Sequence, residues 1–173
     1  MKTTDRRLKW ILIIFFFCAI IIPSCEGVRE DPLYVGTWQY KEKIDVGDFT
    51  YNATTTLKLT QTTFEEVYVM QRDNSSTIAS ILGMKGKLEV SGNKMTFTLN
   101  AVGECVKDAQ QNCTTSIEWF VKGTPTYNTY LQYLQETVHG EFEADEDYLW
   151  LVRDRNNDGD TEDTGEDIEF ELL

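Results

Sequence analysis

The chain has 173 residues, of which 16 are Lys or Arg and 29 are Asp or Glu, giving a net charge of −13 with 41% hydrophobic side chains. A surface this acidic repels phosphate backbones and anionic headgroups, which excludes nucleic acid and direct adhesion to a lipid surface through basic patches. The length suits one domain behind a short leading segment.

That leading segment is legible. Lys2, Arg6, Arg7 and Lys9 precede an uncharged run from Trp10 to Ile22, and Pro23-Ser24-Cys25 follows it. A membrane-spanning helix needs roughly 20 apolar residues. This run is shorter, and Glu26, Arg29, Glu30 and Asp31 end it, so residues 1–24 are expected to be a signal peptide. Ile22-Pro23-Ser24-Cys25 resembles a bacterial lipoprotein signal, although proline is unusual two positions before the cysteine. The resemblance implies acylation of Cys25, a tether over 25–33, and a membrane contact made through that lipid alone. It also implies residence at the bacterial cell envelope as an outer-membrane lipoprotein, facing the periplasm or the exterior. A plain secretory cleavage site, with Cys25 an ordinary residue, is the alternative. Without residues 1–24, which hold four basic and one acidic side chain, 149 residues remain, carrying 12 basic against 28 acidic groups.

Cys105 and Cys113 are the two cysteines of the expected domain, residues 34–173. In an oxidising compartment such a pair forms a disulfide across a short loop. Half of a metal site is the other reading, but no second Cys or His pair accompanies it.

From Val35 the hydrophobic period is two. Trp38, Tyr40 and Ile44 alternate with polar residues, as do Phe49, Tyr51, Ala53, Leu57 and Leu59. Thr62 to Gln71 is rich in β-formers, and Met95, Phe97, Leu99, then Ile117, Trp119 and Val121, repeat the alternation. Such runs, broken by Gly, Asn and Asp, predict antiparallel strands. GKLEVSGNKMTF (86–97) and GEFEADEDYLWL (140–151) read as one hairpin design used twice. Between them, Tyr127, Tyr130, Leu131, Leu134 and Val138 fall at helical spacing behind Thr124-Pro125, which predicts one amphipathic helix over 126–138. Eight or nine strands and one helix must hide their sheet edges. The expected fold is an all-β, antiparallel up-and-down barrel of about eight strands with one short helix, a sandwich being the fallback.

Gly36-Thr37-Trp38 at the first strand of such an exported barrel resembles the lipocalins and the wider calycin group. The resemblance implies that Trp38 plugs the closed end beneath a basic side chain of a late strand, for which Arg153 is the candidate. It also implies a small apolar or amphipathic ligand, for which Tyr40, Tyr51, Met95, Phe97 and Trp119, with Phe64 or Val67, would form the lining. Two features depart from that family: no Asp and Tyr stand near a mid-barrel turn, and the helix precedes the last strands. The second function class is a filled barrel, an accessory envelope protein meeting a protein or carbohydrate partner through its surface.

Residues 154–167, DRNNDGDTEDTGED, open like a calcium loop. Asp154, Asn156 and Asp158 alternate ahead of Gly159, Asp160 can offer a carbonyl and Glu162 a carboxylate, and calcium takes six to eight such oxygens. The closing glutamate is displaced, since Gly165 stands at the twelfth position. The alternative is a solvated acidic hairpin loop. For catalysis the sequence offers little. His139 is the one histidine, and neither a nucleophile elbow nor an HExxH run occurs, so a non-enzymatic protein is expected.

Overall fold

Period-two alternation becomes sheet along almost the whole domain. The computed structural model describes residues 31–154, 161 and 166–173. In chain order the strands are β1 (Gly36–Val46), β2 (Phe49–Leu59), β3 (Thr63–Arg72), β4 (Ile78–Ser91), β5 (Lys94–Lys107) and β6 (Cys113–Val121). The helix α1 (Pro125–Tyr130) precedes β7 (Thr137–Ala144), β8 (Tyr148–Arg153) and β9 (Asp167–Leu172).

All pairings are antiparallel, and β9 returns to β1 through Trp38 opposite Leu172 and Gln39 opposite Glu171, closing the ring. Closure satisfies the edge groups that an open sheet would expose. One edge of β5 is shared: its first half, Lys94–Thr98, pairs with β7 and its second half, from Ala101, with β6. Among the described residues the fold is therefore the expected all-β barrel with one short helix, built from nine strands.

The hairpin tips follow their turn residues. Gly47 and Gly92 sit in the first loop position of the β1–β2 and β4–β5 hairpins with φ of 61° and 63°, where a side chain would be strained. At the β7–β8 tip the Asp145 carboxylate accepts from the backbone N–H of Asp147 (2.8 Å) and Tyr148 (2.7 Å), and these donors hold its pKa below the usual carboxylate value. Cys105 and Cys113 are joined as a disulfide, with Cα atoms 5.3 Å apart. A loop this short contributes about 2–3 kcal/mol by restricting the unfolded chain.

The expected helix over 126–138 is corrected to six residues. Thr124 caps it, accepting from Tyr127 N–H at 3.3 Å, and Pro125 takes the first turn. It ends at Tyr130 because its Thr, Tyr and Asn residues are modest helix formers and the chain has another bond to make. Leu99 N–H donates to the Glu136 carbonyl at 2.8 Å, and Thr137 then pairs with Thr98 to start β7.

The core occupies the end of the barrel where β9 meets β1. Trp38, Leu57, Leu59, Met95, Leu149, Leu151 and Phe170 are essentially inaccessible there. Trp38 donates Nε1–H to the Tyr34 carbonyl at 2.9 Å, and Gly36 keeps the approach open, since a Cβ there would stand 3.1 Å from Leu172 Cδ1. Phe170 packs edge-on to Tyr40 with centroids 6.2 Å apart. Replacing Phe170 by Ala is expected to cost about 3–5 kcal/mol in urea denaturation. A loss under about 1 kcal/mol would place the core elsewhere.

Candidate functional site

Two charged residues break the apolar inner face. Glu66 lies two positions from Phe64 on β3, and Arg153 two positions from Leu151 on β8, so each alternation delivers a charge to the interior. They meet across the barrel: Arg153 Nη1 donates to Glu66 Oε2 at 2.7 Å and Nη2 to Oε1 at 3.2 Å, with the side chains 4% and 2% exposed. Two parallel charge-assisted bonds are the strong form of this contact. Gly140 makes room for it, because a Cβ there would stand 2.8 Å from Arg153 Cγ and 2.5 Å from the Val152 carbonyl oxygen.

Against this pair lies a cavity of about 200 Å³. Its walls are Phe64 from β3, Leu82 and Met84 from β4, Phe97 and Leu99 from β5, and Val138 from β7, with Glu66 and Arg153 as its polar residues on the strands. Tyr133, Leu134 and Gln135, the irregular stretch after α1, cover it. Phe64 meets Phe97 edge-on at 5.2 Å, and the Arg153 guanidinium carbon stands 5.4 Å from the Phe97 ring.

Beyond the cavity the interior turns polar. Tyr40 O–H donates to Glu42 at 3.4 Å, Tyr130 O–H to Glu104 at 2.8 Å, and buried Tyr127 O–H to the Leu99 carbonyl at 2.9 Å. Burial raises the pKa of Tyr40, Tyr68, Tyr127 and Tyr130, seconded by Glu42 for the first two, by Glu136 for Tyr127 and by the Glu104 hydrogen bond for Tyr130. These hydroxyls therefore stay protonated and act as donors.

The residues expected to line a ligand site divide. Phe97 does line the cavity, while Met95 is buried solid core and Tyr40 packs on Phe170. Tyr51 is half-buried opposite Ile44 and Arg72, toward the other end of the barrel. Phe64, not Val67, faces inward.

Trp119 is corrected: it lies on the outer face. A Cβ at Gly83 would stand 2.7 Å, and one at Gly103 2.9 Å, from its ring, and Lys85 Nζ lies 3.9 Å from the ring centroid. The cause is a register shift opposite Lys85/Gly86 that inserts Asn100 as an extra residue in β5. The alternation through Met95, Phe97 and Leu99 then resumes on Val102, whose neighbour Phe120 packs against the core while Trp119 faces out.

The plug pair expected between Trp38 and Arg153 is not among the contacts found: Arg153 bonds Glu66 and faces Phe97, and Trp38 bonds Tyr34. His139 is exposed on the outside of β7, sharing a hydrogen bond with Thr96 Oγ1 at 3.1 Å. Of the expected calcium ligands, Asp154 alone is among the described residues; Asn156, Asp158, Asp160 and Glu162 lie outside them, as does Cys25. Glu66 was missed in the sequence, whereas the covering stretch 133–135 falls within the segment expected as a helix against the barrel.

No protein-family model matches the chain, and no curated protein matches it.

Replacing Arg153 alone by Met leaves the Glu66 carboxylate buried opposite an apolar side chain, with an expected loss of about 3–5 kcal/mol. Combining it with Glu66→Leu removes both charges and is expected to recover most of that loss. Denaturation of the two variants measures the difference, and equal losses would contradict the coupling of the pair.

Proposed function

We propose that the protein is an exported, lipid-anchored, lipocalin-like barrel that holds one small apolar or amphipathic ligand at the cell envelope, without catalysis. The observation carrying this reading is the cavity of about 200 Å³ inside the barrel, apolar on most sides with one charged pair at its wall. Binding sites for small molecules have this composition, with few polar groups fixing orientation. Most such pockets exceed about 300 Å³, so the ligand here is small. Export is supported by the basic, apolar and Cys25-terminated leader and is consistent with the Cys105–Cys113 disulfide.

The second reading, an accessory envelope protein acting through its surface, draws on the solid packing at the Trp38 end and on the aromatic side chains Tyr148 and Trp150 exposed on β8.

Native mass spectrometry of the protein purified from its producing cells tests the first reading. A copurified mass of ligand size is expected. The cavity-filling variant Val138→Phe is expected to lose that mass while keeping its fold, since extra methylenes enter space that is empty in the parent. Absence of any bound mass, or its retention in the filled variant, would favour the surface reading. The same spectra with calcium and with chelator read whether the run beginning at Asp154 takes up an ion.

A further inference from the structure

We propose that the cavity selects an uncharged, ring-sized molecule carrying a hydrogen-bond acceptor, which the Arg153 guanidinium recognises; the inference rests on the interior-binding reading above. Three observations carry it. The first is size. A dry apolar cavity of about 150 Å³ takes a benzene-sized guest, and this one, at about 200 Å³, leaves room for a short substituent on such a ring.

The second is an unused donor. Both terminal nitrogens of Arg153 are engaged by Glu66, but its Nε is buried without a hydrogen-bond acceptor among the described residues. Arg153 is itself 3% exposed and forms part of the cavity wall. A buried donor left unsatisfied carries a desolvation penalty, which an acceptor on a ligand removes.

The third is charge balance. Glu66 and Arg153 are both in the wall and their formal charges cancel. An anionic guest would meet the Glu66 carboxylate, and buried Glu166 lies close by, its backbone carbonyl accepting from the backbone N–H of Arg153 at 2.7 Å. A cationic guest would meet the guanidinium. Either would give up its hydration beside a buried like charge, whereas a carbonyl or ether oxygen needs only the donor.

The test uses four probes of nearly identical shape, titrated into the purified protein and followed by two-dimensional amide NMR: isopropylbenzene, acetophenone, benzoate and benzamidinium. Acetophenone is expected to bind at least about tenfold more tightly than isopropylbenzene, the margin of one hydrogen bond to a charged donor, and to shift the amides of Phe97, Val138 and Arg153. Benzoate and benzamidinium are expected to bind more weakly than either. In the Glu66→Leu/Arg153→Met protein, acetophenone is expected to lose its advantage while isopropylbenzene still binds. Equal binding of acetophenone and isopropylbenzene would overturn the acceptor inference and leave the binding cavity standing. Preference for a charged probe would overturn the neutrality argument. Failure of all four to shift those amides would overturn the interior-binding reading itself.

Discussion

A guanidinium and a carboxylate facing each other inside an apolar barrel constrain everything around them. Moving both out of water costs several kcal/mol per ion, and only near-ideal geometry offsets that cost. The two parallel bonds of Arg153 to Glu66 supply the geometry, and they tie β8 to β3 across the interior, 87 positions apart in the chain. The contact in turn constrains position 140, where a Cβ would press on the arginine stem. It also locates the empty space: the cavity borders these polar heads, whereas the Leu, Met and Phe side chains at the Trp38 end pack solidly.

The barrel wall is uneven in a way that suits this division. β1 to β5 run 10 to 14 residues, whereas β8 and β9 have six each. Alongside Leu82 the inner face carries Glu42, Tyr68 and Glu104, with Tyr40 O–H bonded to Glu42 and Tyr130 O–H to Glu104. The stretch from α1 to Thr137 leaves β6 and returns as β7 beside the first half of β5, laying Tyr127 and Tyr130 against the core and Tyr133 to Gln135 over the cavity. One end is thus filled, the other is polar, and the cavity lies along the buried charge pair.

Much of this was legible in the sequence because strands alternate strictly. Trp38, Leu57, Leu59 and Phe97 fall inward as their spacing requires, and the hairpin tips announce themselves through Gly92 and Asp145. Three things were not legible, each for a physical reason. A bulge has no period, so the extra residue Asn100 reversed the face assigned to Trp119. A helix pattern of Tyr and Leu persisted to Val138, but the pull of β5 on Glu136 and Thr137 ended the helix after Tyr130. Glu66 stands beside Glu65 and reads as a surface pair; the signal available was that it shares parity with Phe64, as Arg153 does with Leu149 and Leu151.

The most direct test of the account is diffraction from crystals of the protein pressurised with xenon, which enters apolar cavities of this size. One strong xenon peak is expected between Phe97, Met84 and Val138, beside an intact Arg153–Glu66 pair. A space closed by those side chains, with no xenon peak, would contradict it and leave a filled barrel that acts from its outer surface.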